Sequence, residues 1–472
     1  MTQLPCPRRR LFRRVPRLSR PPLPPRMSRL ALLALPLMLA ACGGGGGGGD
    51  STPPAAAECS TAAQTSWLRS YFNDWYFWYR LSPNPDPAGF ASPGAYFDAL
   101  LYTGSDGSFP RDRWSFTQST ESFSRFFGDG KSMGYGVSVA GLEVTGRPDL
   151  PLYVRYVEPQ SDAAAKGVQR GDQVLSLNGR AVADIIAAND FSALTAGREG
   201  DSLVLRLRNG GGVERSVTLT ASVYGLTSVT NVSVQTTPGG RRVGYLQVKE
   251  MVSQVSAPLA TAFAQFKDAG VQDLVLDLRY NGGGLVQVAG ELASYLGGDR
   301  ARGQTFATLL YNDRRANQNN ERFAFAAPAA ALSLNRVYVL AGERTCSASE
   351  QVVNGLRPFV EVVLVGDTTC GKPVGFLPVG QCGTTYNVVN FESVNARNEG
   401  RYFDGFNPTC PVAEDFTRPL GASDEPLLAA ARRHADTGSC RVAAVGPEQP
   451  QSRRPTAPRA REPGEWQGML AR

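Results

Sequence analysis

The chain has 472 residues, 42% of them hydrophobic and 19% charged, with a formal net charge of +7 and one histidine. That is the composition of a soluble multidomain protein, long enough for two or three cores. A single histidine and the lack of any CxxC pair argue against a zinc site. The basic balance is not a nucleic-acid footprint, because nine arginines and no carboxylate precede Cys42 and the remainder carries about −2.

From the beginning of the chain, eight arginines fall within the first 26 residues, followed by Met27, a candidate start, and an apolar run from Leu30 to Ala41. This run is too short to span a bilayer and has the shape of a signal-peptide core. It ends in Leu39-Ala40-Ala41-Cys42, which resembles the lipobox of bacterial lipoproteins. The resemblance implies lipidation of Cys42 and a membrane-anchored protein on the periplasmic side of the cell envelope, at the outer membrane. Residues 43–58, rich in Gly, Ser, Pro and Ala, form a flexible linker. Beyond Cys42 six cysteines remain, and an even number in an exported chain predicts disulfides. A bond between Cys382 and Cys410 is expected, and whether Cys346 bonds Cys370 stays open.

Residues 59–127 are helical and aromatic, with Trp67, Tyr71, Trp75, Trp78 and Tyr79 at spacings of three and four, a pattern of core packing. Residues 128–222 change to short strands and turns. Gly134-Tyr135-Gly136-Val137 opens them, Leu152 to Val157 follows, then the turn Arg170-Gly171-Asp172 leading to Asn178-Gly179, a helix over about 183–196, and the alternating strand from Ser202 to Leu207. This order resembles a PDZ domain of the bacterial protease type. The resemblance implies that backbone N–H groups of Gly134, Tyr135, Gly136 and Val137 hold a terminal carboxylate, the peptide lying between the strand near Val137 and the helix near Ile186.

Residues 223–440 alternate strand and helix, and apolar runs of four or five residues between helices predict a mixed α/β core buried on both faces. The remainder, 441–472, is rich in Pro, Arg, Glu and Gln and is expected to be disordered.

Chemistry concentrates in three segments of this last domain. Ser347 stands where a strand gives way to a helix, so unpaired N–H groups and the positive helix end face its hydroxyl. Asn281-Gly282-Gly283-Gly284 follows a buried strand and, with Ala348, offers backbone donors for an oxyanion. With the only histidine at 434, a lysine is the economical base, and Lys372 lies 25 positions after Ser347 among Gly371, Pro373, Val374, Gly375 and Phe376. Acting as a base requires the amine to be neutral near pH 7.5, roughly 4 kcal/mol below its reference, which burial can supply.

Asp277 to Gly284, Ser347-Ala348-Ser349-Glu350 and Gly366 to Lys372 together resemble the S41 family of carboxyl-terminal processing, or tail-specific, proteases. The resemblance implies a ClpP/crotonase-like α/β core in which Ser347 is the nucleophile, Lys372 the general base and Glu350 an orienting or structural partner. Gly283, Gly284 and Ala348 then form the oxyanion hole. Several members place a glutamine four residues after the lysine, where this chain has Phe376. The implied function is an envelope-anchored endopeptidase acting through an acyl-enzyme on polypeptides recognised by their C-termini, with no metal or cofactor, no nucleic acid and an unspecified oligomeric state. The alternative is an inactive PDZ-bearing adaptor, or an apolar-ligand carrier of the same fold.

Overall fold

The computed structural model describes residues 58–141, 144–440 and 468–471. The expected lipidation site Cys42 and nearly all of the linker lie outside the described residues. Among the described residues no helix is long and apolar enough to cross a membrane.

The aromatic repeat forms helix α1, Thr61–Trp75, which Ser60 caps by accepting from Ala63 N–H. Leu68 and Phe72 face inward at helical spacing and meet Tyr76, Trp78, Phe97 and Trp114. This cluster is not a core of its own. It continues into Val374, Phe376, Tyr386 and Val389, so the module packs its aromatic side directly over strands of the third domain. A bond between Cys59 and Cys382 fastens its start there.

The PDZ-like region is an antiparallel sheet of strands Val137–Val139, Leu152–Val157, Gln173–Leu177, Ser202–Arg208 and Glu214–Thr220. Leu203, Leu205 and Leu207 point inward with period two, and Val182, Ile185 and Ile186 close the core. The helix is shorter than the sequence suggests, Val182–Ala188, because Asn189 turns left-handed at φ 50° and ends it.

The third domain holds two six-stranded sheets. In the first, β1 (Arg242–Val248), β2 (Asp273–Asp277), β4 (Arg336–Ala341) and β5 (Glu361–Gly366) run parallel, and successive residues alternate between two cores. Leu246, Leu274, Leu276, Val337 and Val339 face one core, shared with helices α2 (Ser256–Asp268), α3 (Val286–Ala301) and α4 (Ala348–Leu356). Tyr245, Val275, Tyr338 and Leu340 face the other, covered by α5, Pro426–Thr437. Burial on both sides is why these strands appear in sequence as uninterrupted apolar runs.

The second sheet contains β3 (Gly283–Leu285), β6 (Val374–Phe376) and β7 (Val389–Val394), and between β3 and β6 lies β8, Gly468–Leu470. The expectation of disorder throughout 441–472 is therefore corrected at its far end: four consecutive residues from 468 are buried, with Met469 and Leu470 filling space in two different cores.

Disulfide pairing also departs from expectation. Cys382 and Cys410 are not bonded to each other. Cys382 sits in a hairpin turn beside the start of α1 and bonds Cys59, whereas Cys410 pairs at the far edge of the parallel sheet and bonds Cys440, just past the end of α5. Replacing Cys59 and Cys382 by serine together should lower unfolding free energy by about 2–4 kcal/mol, because the bond closes a long loop. Denaturation followed through Trp67, Trp78 and Trp114 reads this, and an unshifted midpoint would show that the staple contributes nothing.

Candidate active site

Ser347 is held in a backbone conformation that L-residues rarely adopt, φ 61° and ψ −115°, at the cap of α4. Such a residue costs on the order of 1–3 kcal/mol, so its surroundings must enforce it. They do so from three sides. Ser347 N–H donates to Glu350 Oε2 at 2.9 Å, Cys346 N–H donates to the Asn281 carbonyl at 3.1 Å, and Ser349 Oγ donates to the same carbonyl at 3.0 Å. Asn281 in turn donates from Nδ2 to the Val248 carbonyl at 3.0 Å, tying the end of β1 to the serine segment.

Lys372 is fully buried, with its amine 4.0 Å from the centroid of the Phe376 ring. The residue standing in place of the family's glutamine thus faces the lysine with an aromatic surface. The Lys372 backbone is fixed by the same carboxylate that holds Ser347. Glu350 accepts from Lys372 N–H and Gly371 N–H, each at 2.8 Å, and from the Thr369 hydroxyl at 2.5 Å. Complete burial pushes the Glu350 carboxyl above the usual range, and its four donors, led by Thr369, pull it back. Cys346 and Cys370 are bonded, which answers the question left open by the sequence: the serine and lysine segments are covalently strapped together.

The glycine strand lies against both. Gly283 and Gly284 have φ of 111° and 136°, and a Cβ at Gly284 would stand 2.2 Å from the Met251 carbonyl oxygen, so neither position tolerates a side chain. A Cβ built on Gly283 would lie 3.0 Å from both Ala348 N and Ser347 Cβ, which places this glycine, Ala348 and the serine around one point. The Gly283 N–H is not free to meet an oxyanion, however, since it donates to Asn281 Oδ1 at 2.8 Å. Gly283 shapes the site, and the backbone nitrogen of Ala348, first residue of α4, lies beside it. Gly284 pairs in the sheet with Met469.

His434 is remote from this chemistry. It packs on the opposite face of the parallel sheet, under α5, with Nδ1 3.1 Å from the Tyr338 hydroxyl, and burial lowers its pKa.

Gly134, Tyr135, Gly136 and Val137 line one pocket together with Arg155 and Lys249. Ile186 does not. Its side chain is 3% exposed inside the PDZ-like core, and Leu194, Thr195 and Ala196, just beyond the shortened helix, form that wall instead. Arg170 extends from the PDZ-like turn to Tyr280 Oη at 2.6 Å and to Glu414 at 2.9 Å. Glu414 also receives Arg279, which is bound by both oxygens of Glu425 at 2.8 and 3.0 Å. Tyr280 and Arg279 directly precede Asn281, so the PDZ-like module contacts the segment that holds the serine's neighbours in place. Nothing local in the sequence signals this link, since Arg170 lies 110 positions from Tyr280 and 244 from Glu414.

Residues 242–385 match peptidase family S41, residues 63–116 the S41 N-terminal domain and residues 153–209 a PDZ domain. The chain is 30% identical over 244 residues to carboxyl-terminal-processing peptidase 1 of Arabidopsis thaliana, covering 50% of this chain and 47% of that one. It is 26% identical over 238 residues to the carboxyl-terminal-processing protease of Synechocystis, covering 50% and 53%. The chain thus spans about half the length of these relatives. Among solved structures, an S41-type protease from Bacteroides fragilis superposes with a TM-score of 0.62 at 27% identity, covering 79% of this chain and 97% of that one. With all three domain matches in the family's order, and with the glycine strand, the strained serine and the buried lysine gathered in one site, the chain belongs to peptidase family S41.

Proposed function

We propose that this protein is a serine endopeptidase that acts on polypeptides recognised by their C-termini, with Ser347 as nucleophile and Lys372 as general base. The observation that carries the reading is the Glu350 carboxylate, which binds the backbones of both residues at once in a site without exposure to water. Neutral Lys372 takes the hydroxyl proton of Ser347 while Oγ adds to the substrate carbonyl. Negative charge gathering on the carbonyl oxygen faces the Ala348 N–H and the positive end of α4. Lys372 returns the proton to the departing amine as the C–N bond breaks. Water then releases the acyl group by the same proton path in reverse.

A chain terminus enters the pocket lined by Gly134 to Val137, where the backbone of this loop meets its carboxylate. The Arg170 contact with Tyr280 and Glu414 connects that event to the catalytic strand. The protein acts at the periplasmic face of the envelope, anchored through Cys42. The three disulfides among the described residues support an oxidising compartment.

A labelled peptide with an apolar C-terminus, incubated with wild type, Ser347→Ala and Lys372→Arg, should be cut only by the wild type, since arginine stays protonated at any accessible pH. Cleavage by the alanine variant at the wild-type rate would eliminate the serine mechanism. Retained activity in the arginine variant would mean another base.

The Phe376 ring makes a second, separate prediction. An aromatic face favours the ammonium form of Lys372, so removing it favours the neutral base. Phe376→Leu, which keeps the site apolar, should move the alkaline rise of kcat/KM to lower pH by up to about one unit. A profile that stays in place or moves upward would show that the ring has no electrostatic hold on the amine.

A further inference from the structure

Residues 468–471 complete a sheet that the rest of the domain leaves open. β8 runs parallel to β3 on one side, with Gly283 opposite Gly468, Gly284 opposite Met469 and Leu285 opposite Leu470, and parallel to β6 on the other, with Phe376 opposite Leu470. Gly468 N–H donates to the Gly282 carbonyl and Ala471 N–H to the Phe376 carbonyl, each at 3.1 Å. The Met469 side chain enters the core shared by α3 and α4, and Leu470 enters the aromatic cluster with Val374 and Phe376. Main-chain bonding on both sides with alternate side chains in opposite pockets is the way an extended peptide is held by strand addition.

The register places this strand on the reacting atoms. A Cβ built on Gly283 would stand 2.3 Å from the Gly468 carbonyl oxygen, beside the same 3.0 Å approaches to Ala348 N and Ser347 Cβ. The Gly468 carbonyl therefore reaches the point where the nucleophile and the first amide of α4 meet.

We infer that residues 468–471 are an intramolecular occupant of the substrate slot, a segment of the protein's own chain that an incoming polypeptide must displace. The effect on turnover rests on the peptidase reading, whereas the occupancy itself does not. Because the segment belongs to the same chain, it competes at an effective concentration on the order of millimolar, independent of protein concentration. The affinity of the slot for any other peptide is reduced by the fraction of molecules in which the segment is bound.

The test uses the full chain carrying Met469→Asp and Leu470→Asp, which puts charge into both pockets. In a Ser347→Ala background, where nothing is turned over, fluorescein-labelled Gly-Met-Leu-Ala should bind on the order of tenfold more tightly to the double variant than to its parent. With Ser347 intact, KM for a peptide substrate should fall by a similar factor, and added unlabelled Gly-Met-Leu-Ala should raise it again. Met469→Ser with Leu470→Ser serves in place of the aspartates if their melting temperature shows that the protein no longer folds. A folded variant that binds the labelled peptide no more tightly than the parent overturns the inference. Tighter binding without hydrolysis by either chain supports the occupancy and removes the peptidase reading. Hydrolysis at equal KM in both chains does the reverse.

Discussion

A single buried carboxylate organises this protein. Glu350 accepts four hydrogen bonds from two segments that meet only in the folded chain, and through them it sets the backbone of Ser347 relative to that of Lys372. Burying a carboxylate is costly unless its acceptors are filled, and here three amides and a hydroxyl fill them. The strained serine follows from the same arrangement, since the Glu350 bond to Ser347 N–H helps offset its unfavourable φ. The Cys346–Cys370 bond supports this pairing covalently, and Asn281 extends it to the glycine strand and to β1.

Around that centre the three domains pack against one another. The aromatic module buries its face on β6, the strand that begins two residues after Lys372, so the apolar wall at the lysine is built partly from α1 and its neighbours. The PDZ-like module meets the core through Arg170, whose guanidinium contacts the Tyr280 hydroxyl one residue before Asn281. Both accessory domains thereby touch segments adjoining Ser347 or Lys372.

Much of this was legible in the sequence where the physics is local. The junction at Ser347 follows from an apolar run giving way to a helix, the alternation of Leu203, Leu205 and Leu207 follows from the two-residue period of a strand, and the triple glycine marks a backbone with no room for side chains. The PDZ-like loop was recognisable from its turn residues, but Ile186, helical in either reading, turns into the domain core, and Leu194, Thr195 and Ala196 line the pocket instead. What sequence could not convey is pairing across distance. The partners of Cys59 and Cys382 are 323 positions apart, and the Arg170 contact with Glu414 carries no motif. The strand at Gly468 was hidden for another reason: three bonded residues at the end of a segment rich in proline and arginine have no periodicity to detect.

That strand also bears on the solubility of the molecule. Relieved of it, β3 would present an unpaired edge along Gly283 to Leu285 and β6 would lose its partner at Phe376, with glycines at 283, 284 and 375 leaving the backbone uncovered. Bare edges of this kind are templates for indiscriminate joining between molecules. The strand at Gly468–Leu470 covers these edges within the same chain and so removes that hazard.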